Sequence, residues 1–199
     1  MIDEFRQYEF TANAWEHYWE LFENLCLPIR GDRFGALQGM WQERIGDNVI
    51  FRHLWRYDSL DERARLRGEL IKVAAWREEF LPQAARHVGK QFLQVLVPRV
   101  EFAVGGLAPV RYLHVYRCPV GKAGAVIEQV SDAGARKKHR VFGVWATEFA
   151  DPNQVVVMSA RATAPAVDVQ ASLVIETRSL QPLGLDVRQP DNRSVVAAV

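Results

Sequence analysis

The sequence predicts an α+β fold made of two consecutive β-α-β-β-α-β units, the second one reduced. Three observations carry this. Strand-like and helix-like hydrophobic periods succeed each other in that order over residues 1–98. Residues 99–109 then break the pattern with Pro109 and the Gly105-Gly106 pair, just after Pro98. Beyond the break the order begins again, and Gly39, Trp41 and Asp47 recur as Gly143, Trp145 and Asp151 at one constant offset, the mark of an internal duplication. The β-α-β-β-α-β order is the ferredoxin-like motif. The expected division is a first unit at 1–98, a linker at 99–109, a second, degenerate unit at 110–187 and a tail at 188–199.

The first strand is expected over Ile2 to Phe10. Period-2 spacing puts Glu4, Arg6, Tyr8 and Phe10 on one face and Asp3, Phe5, Gln7 and Glu9 on the other. Asn13 with Glu16 resembles a capping box. The helix behind it carries Trp15, Trp19, Phe22 and Cys26 on one apolar stripe. Pro28 is expected to kink or end that helix.

A hairpin follows, from Phe34 to Ile45 and from Val49 to Tyr57, with Gly46-Asp47-Asn48 as its turn. Ser59 and Glu62 form a capping box that opens the second helix. Leu60, Leu66 and Leu70 form its inner side, and Arg63, Arg65 and Arg67 are assigned to its wet face. A fourth strand, Phe92 to Val97, is expected to stop at Pro98.

In the second unit, Leu113, His114 and Tyr116 match Phe5, Arg6 and Tyr8. One helix is expected over Lys122 to Lys138. The strand pair from Phe142 to Val157 matches the first hairpin, and aligning its end places Met158 and Ala160 opposite His53 and Trp55. The second helix of this unit shrinks to an Ala/Pro-rich stretch, Thr163 to Val169, before a last strand over Ala171 to Ser179.

Composition narrows the function. A net charge of +1 gives no basic footprint for nucleic acid. No apolar run approaches the roughly 20 residues of a membrane span. The start, MIDEFRQYEF, lacks the features of a secretory or transit peptide. Two lone cysteines, Cys26 and Cys118, do not make a disulfide framework. The expected location is the reducing cytoplasm. The five histidines are scattered without HxH or HExxH spacing, so no metal site is expected. Arg136 to Arg140 is the one basic run, suited to a helix C-terminus.

The ExRxYxF of the first strand, LPIR at Leu27 to Arg30, GxW at Gly39 to Trp41 and HLWRYDSLDER at His53 to Arg63 resemble the NIPSNAP family. The resemblance covers Met1 to about Pro98 well and extends by the repeat to about Leu185. It implies a dimeric α/β barrel fold, in which two ferredoxin-like sheets meet face to face with helices outside. The wider superfamily includes cofactor-free monooxygenases, isomerases and cyclases acting on aromatic or polyketide-like molecules, and also haem-using enzymes. NIPSNAP-like proteins themselves have no generally established reaction.

In such a fold, polar side chains facing the second sheet would line a cavity. The candidate catalytic residues are therefore His53, Tyr8 and Arg6. The candidate ligand-binding residues are Trp55, Phe51, Tyr57, His114, Tyr116 and Met158. His53 would act as base, while Arg6 and the Tyr8 hydroxyl would stabilise the resulting enolate or phenolate. Aromatic walls suit an apolar or aromatic metabolite. A structural role for the same residues is the competing reading: a core histidine, and an arginine paired with Glu4, Glu9 or Glu43. No cofactor is expected. The alternatives are a non-catalytic interaction protein and a haem protein with His53, His87 or His114 as axial ligand. Edge strands and the reduced second unit lead one to expect a homodimer.

Overall fold

A computed structural model describes residues 1–100, 111–149 and 151–183. The expected linker at 99–109 falls largely outside the described residues, and the tail at 188–199 does so entirely. The strands are β1 (Ile2–Thr11), β2 (Ala36–Ile45), β3 (Asn48–Tyr57), β4 (Lys90–Val100), β5 (Arg111–Arg117), β6 (Val141–Thr147), β7 (Gln154–Ser159) and β8 (Leu173–Pro182). The helices are α1 (Ala12–Leu21), α2 (Leu27–Arg30), α3 (Leu60–Leu70), α4 (Leu81–Ala84), α5 (Ala123–Ser131) and α6 (Ala133–His139).

The strands close into one barrel in the order β1-β3-β2-β8-β5-β7-β6-β4. Each unit contributes four neighbouring strands, β4-β1-β3-β2 and β8-β5-β7-β6, so a single chain builds the barrel. Every strand has a neighbour on both sides, and the reason for expecting a second chain, unpaired edges, is met within this one. The join between β2 and β8 is short, at Trp41 opposite Pro182 and Gln42 opposite Gln181.

The interior is packed. Phe5, Trp41, Leu54, Leu96, Leu113, Phe142, Trp145, Val156, Met158 and Leu180 form one cluster drawn from both sheets. Asp3, buried among them, accepts hydrogen bonds from Arg56 at 2.8 and 2.9 Å and from the Trp145 indole of the other unit at 2.8 Å. These side chains stand in the space between the sheets, where a pocket is expected from the sequence.

The recurring GxW has a steric cause. A Cβ on Gly39 would lie 2.4 Å from the Trp41 ring, and one on Gly143 would lie 2.3 Å from the Trp145 ring. Each indole folds back over the glycine two residues before it, and only a bare Cα leaves room. The strand pairing shifts register immediately before both glycines; these are bulges that aim the tryptophans inward.

Several local expectations change. Thr11, not Asn13, caps α1, its hydroxyl accepting from the Ala14 amide at 3.4 Å. Ser59 caps α3 as expected, at 3.0 Å from the Glu62 amide. The first helix does not end at Pro28. It widens into a π-helical segment, Phe22–Cys26, and continues as α2. A second such segment, Ala75–Phe80, precedes Pro82 and α4 in the same way. A proline ring crowds the carbonyl four residues back and supplies no N–H, and a widened turn accommodates both. Strand β4 runs past Pro98 because the proline sits where the pairing with β6 shifts register. The expected single helix over 122–138 is two, since the Asp132 side chain accepts from the Gly134 and Ala135 amides and starts a new one.

Candidate functional site

The register of β1 on β3 sets Glu4 opposite Trp55, Arg6 opposite His53 and Tyr8 opposite Phe51. All six side chains share one face with Tyr57, and that face looks outward, toward the helices. Trp15, Tyr18, Phe22, Cys26, Phe80 and Ala84 cover it from α1, α4 and the two π-helical segments. Six of the nine residues singled out from the sequence (Arg6, Tyr8, Phe51, His53, Trp55 and Tyr57) therefore come together, but under the helices rather than in the barrel.

The other three lie elsewhere. His114 and Tyr116 occupy the corresponding layer of the second unit. Met158 points into the barrel interior. The strand pairing explains the last case. Met40 pairs with His53, and its repeat mate Val144 pairs with Val157. The true counterparts of His53 and Trp55 are thus Val157 and Ser159, one residue earlier than the sequence alignment gave, and Met158 corresponds to Leu54.

Two polar groupings are buried in the first layer. In one, Glu4 is completely inaccessible, with one carboxylate oxygen held by Arg6 and the other by Arg63. Burial alone would raise the Glu4 pKa, but the two guanidiniums outweigh it and hold the carboxyl below its ordinary value. Arg6 also donates to the Tyr8 hydroxyl at 2.6 Å, and Gln91 of β4 donates to the same oxygen at 3.2 Å. Arg63, expected on the wet face of α3, reaches Glu4 and is part of this group.

The second grouping is His53, Trp55 and Arg30. The Trp55 indole donates to His53 Nδ1 at 2.5 Å. The imidazole stacks on Phe51 with centroids 4.7 Å apart and meets the edges of Tyr8 and Phe22 at 5.1 and 5.5 Å. Burial, then Arg6 and Arg30, drives its pKa well below the usual histidine value, so the ring is neutral at pH 7. An indole N–H can only donate, so Nδ1 must be the bare nitrogen and Nε2 carries the proton. That Nε2–H is buried and has no hydrogen-bond partner among the described residues. His53 accordingly presents a proton to its surroundings, not a lone pair.

Arg30 comes from the last residue of α2. Its guanidinium lies 3.4 Å over the Trp55 ring and donates to the Phe34 carbonyl at 2.7 Å and the Tyr57 hydroxyl at 3.0 Å. It is 2% exposed, and its Nε–H is buried without a partner among the described residues. Nearby Cys26 is pushed up to about 12 by burial, against a smaller downward pull from Arg30 and Arg6, so its thiol stays protonated.

In the corresponding layer of the second unit, His114, Tyr116 and His139 all have partners. His114 meets Thr177 Oγ1 at 3.1 Å through Nδ1, and Ser159 Oγ at 3.0 Å and the Arg161 carbonyl at 3.1 Å through Nε2. Tyr116 donates to the Pro165 carbonyl at 2.6 Å, and His139 meets the Thr163 carbonyl at 3.2 Å. These side chains tie down the irregular segment that stands where the first unit has its second helix.

Among the described residues no group of three or more potential metal ligands occurs. His87, a haem candidate from the sequence, lies with His17 in a groove of about 500 Å³ beside α1 and α4, their rings 5.7 Å apart. No helix among the described residues is long and apolar enough to cross a membrane.

Comparison with known proteins fits this picture. The human protein NipSnap homolog 3B is 29% identical over 170 residues, covering 77% of this chain and 68% of that protein. Human NipSnap homolog 3A is 28% identical over 164 residues, covering 78% and 65%. The chain thus spans about two thirds of the length of these relatives. Two solved structures share the fold across nearly the whole chain. One is a candidate monooxygenase from Lactobacillus acidophilus, with TM-score 0.61, 13% identity and coverage of 91% of this chain and 93% of that one. The other is a candidate monooxygenase from Fusobacterium nucleatum, with TM-score 0.60, 10% identity and 92% coverage of each. At such identities they speak to the fold alone, the dimeric α/β barrel type. A profile of the NIPSNAP family matches residues 3–101, which are the first unit with its buried Glu4, Arg6, Tyr8, His53 and Trp55. By that match and the human relatives, the chain belongs to the NIPSNAP family.

Proposed function

We propose that the layer between the first sheet and its helices binds a small apolar or aromatic metabolite without a cofactor, with His53 donating a hydrogen bond to it. The observation that carries this is the unpartnered, buried Nε2–H of His53. Leaving such a donor unsatisfied costs about 1–3 kcal/mol, and folded proteins retain such groups where something else meets them. A carbonyl or enolate oxygen is the partner a neutral imidazole N–H is suited to receive, and Phe22, Phe51, Tyr8 and Trp55 supply flat apolar walls for the ring that bears it. Arg6, with Tyr8 on its other side, fixes the polar end of the layer. His53 is here the hydrogen-bond donor that steadies developing negative charge.

The two π-helical segments pack on each other above this layer. Widened turns of this kind recur at functional sites, and lifting this pair is the proposed way in. Because His114, Tyr116 and His139 of the second layer all have partners, the reading gives one ligand per chain, and no residue of a second chain is needed to complete the site.

The test is a thermal-shift screen of small aromatic acids, phenols and their neutral analogues on the wild-type protein and His53→Gln. At least one compound should raise the melting temperature of the wild type by several degrees, with the gain lost in the variant. If no compound separates the two proteins while both are folded by circular dichroism, the layer is a core and the chain acts as a non-catalytic interaction protein. A Soret band on adding haemin, abolished by His53→Gln, would favour the haem alternative instead.

A further inference from the structure

We infer that the ligand of this layer is an anion, a carboxylate or a phenolate-type oxygen carried on an aromatic ring, and that Arg30 is the residue that selects it. The inference rests on the small-molecule site proposed above and adds the charge class of its occupant.

Among the described residues, the buried face of the first sheet and its covering helices hold one carboxylate, Glu4. Both of its oxygens are taken, one by Arg6 and one by Arg63. Arg30 makes no ion pair among the described residues. Its recorded partners are a backbone carbonyl, a phenol hydroxyl and an indole face, none of which bears a full negative charge. A guanidinium that is 2% exposed and lacks a counter-charge is costly, because desolvation of a cation is repaid in full only by an anion with matching hydrogen bonds.

The orphan donors agree with the missing charge. Arg30 Nε–H and His53 Nε2–H are both buried and both unpartnered, and both side chains touch Trp55, one over its ring face and the other at its N–H. Two unspent donors and one unspent positive charge beside an indole describe a receptor for an oxyanion whose ring lies among the aromatics. Arg is suited to this: its charge and its free Nε–H can meet an oxyanion while one terminal nitrogen stays bonded to Phe34 and Tyr57 and its face stays stacked on the Trp55 ring. The second unit supplies an internal contrast. Its matching layer saturates His114 with neutral partners, and its recorded polar contacts involve no buried cation without a counter-charge.

The test measures binding of benzoate and 2-naphthoate, each against its neutral amide, by titration calorimetry on the wild type, Arg30→Met and Arg30→Lys. The acids should bind the wild type at least tenfold more tightly than the amides, with one site per chain. Arg30→Met should weaken the acids at least tenfold and the amides by a much smaller factor; Arg30→Lys, which keeps the charge without the Nε–H, should fall between. Equal affinity of acid and amide for the wild type overturns the charge assignment. If that equal binding still needs His53, the small-molecule reading survives on its own. Absence of binding by both acids and both amides overturns the two together. Should Arg30→Met fail to fold, the acid-to-amide ratio in the wild type decides the question alone.

Discussion

At the scale of single residues, His53 joins structure to a measurable pH dependence. Its folded pKa lies well below the unfolded value of 6.5, so below pH 6.5 the unfolded chain takes up a proton that the folded one refuses. Protons bound in excess by the unfolded state make stability rise with pH. The contribution is complete above pH 6.5 and is lost as the pH falls beneath it, at up to about 1.4 kcal/mol per pH unit for this one group. Urea unfolding between pH 7 and pH 5 should show that loss, and His53→Gln should flatten the slope; an unchanged slope would mean that His53 is protonated in the fold. Part of this site was legible in the sequence. Arg6 and Glu4 stand two apart on a strand, and period 2 alone puts them on one face. His53, Trp55, Phe51 and Tyr57 share a face for the same reason. Arg63 and Arg30 were not legible as site residues. Each meets its partners across 27 or 59 positions of chain, and nothing local to SLDER or LPIR says that a charged side chain turns inward.

Elements carry the second lesson, in the repeated GxW. The spacing was visible as a repeat, but its cause, an indole folded onto the glycine before it, needs three dimensions. Gly39→Ala should cost about 1–3 kcal/mol by overpacking. In a Trp41→Leu background, where the ring is gone, the same substitution should cost under about 1 kcal/mol. Urea melts of the four proteins make the cycle, and equal costs in both backgrounds would refute the steric account. The π-helical segments were hidden for a related reason. The sequence showed Pro28 and Pro82 as breakers, which is the local rule. The apolar stripes on either side continue against β1 and β3, and that packing holds the helix together through the proline by a wider turn. The side of the sheet that the ionisable residues face was equally hidden, because strand alternation gives two faces and does not say which meets the helices.

For the whole molecule, the duplication followed from the recurrence of Gly39, Trp41 and Asp47 and the barrel from the resemblance to the NIPSNAP family, whereas closure within one chain followed from neither. That depends on whether β8 reaches β2, and the two pairs at Trp41 and Gln42 show that it does. The core belongs to both units at once, and the Trp145 indole reaches Asp3 across the divide. The full chain should therefore unfold in one transition. Trp145→Phe, which leaves the buried Asp3 short of one donor, should lower stability by about 1–3 kcal/mol. Amide exchange should show both sheets losing protection together; a first sheet that stays protected while the second opens would show two independent domains.

That single-chain closure has a consequence for how the protein could change. In a barrel made of two identical subunits, every substitution appears twice, so a residue that sharpens one layer is forced on the other as well. Here the two layers are written separately. One carries Glu4, Arg6, His53 and Trp55, while the other has Val157 and Ser159 in the places of His53 and Trp55 and an irregular segment where the first has its second helix. Fusion of the halves released them from inheriting each other's mutations, and the present asymmetry, one layer with a buried His–Trp pair and the other with Val157 and Ser159 in those places, is a state that a symmetric pair could not have reached.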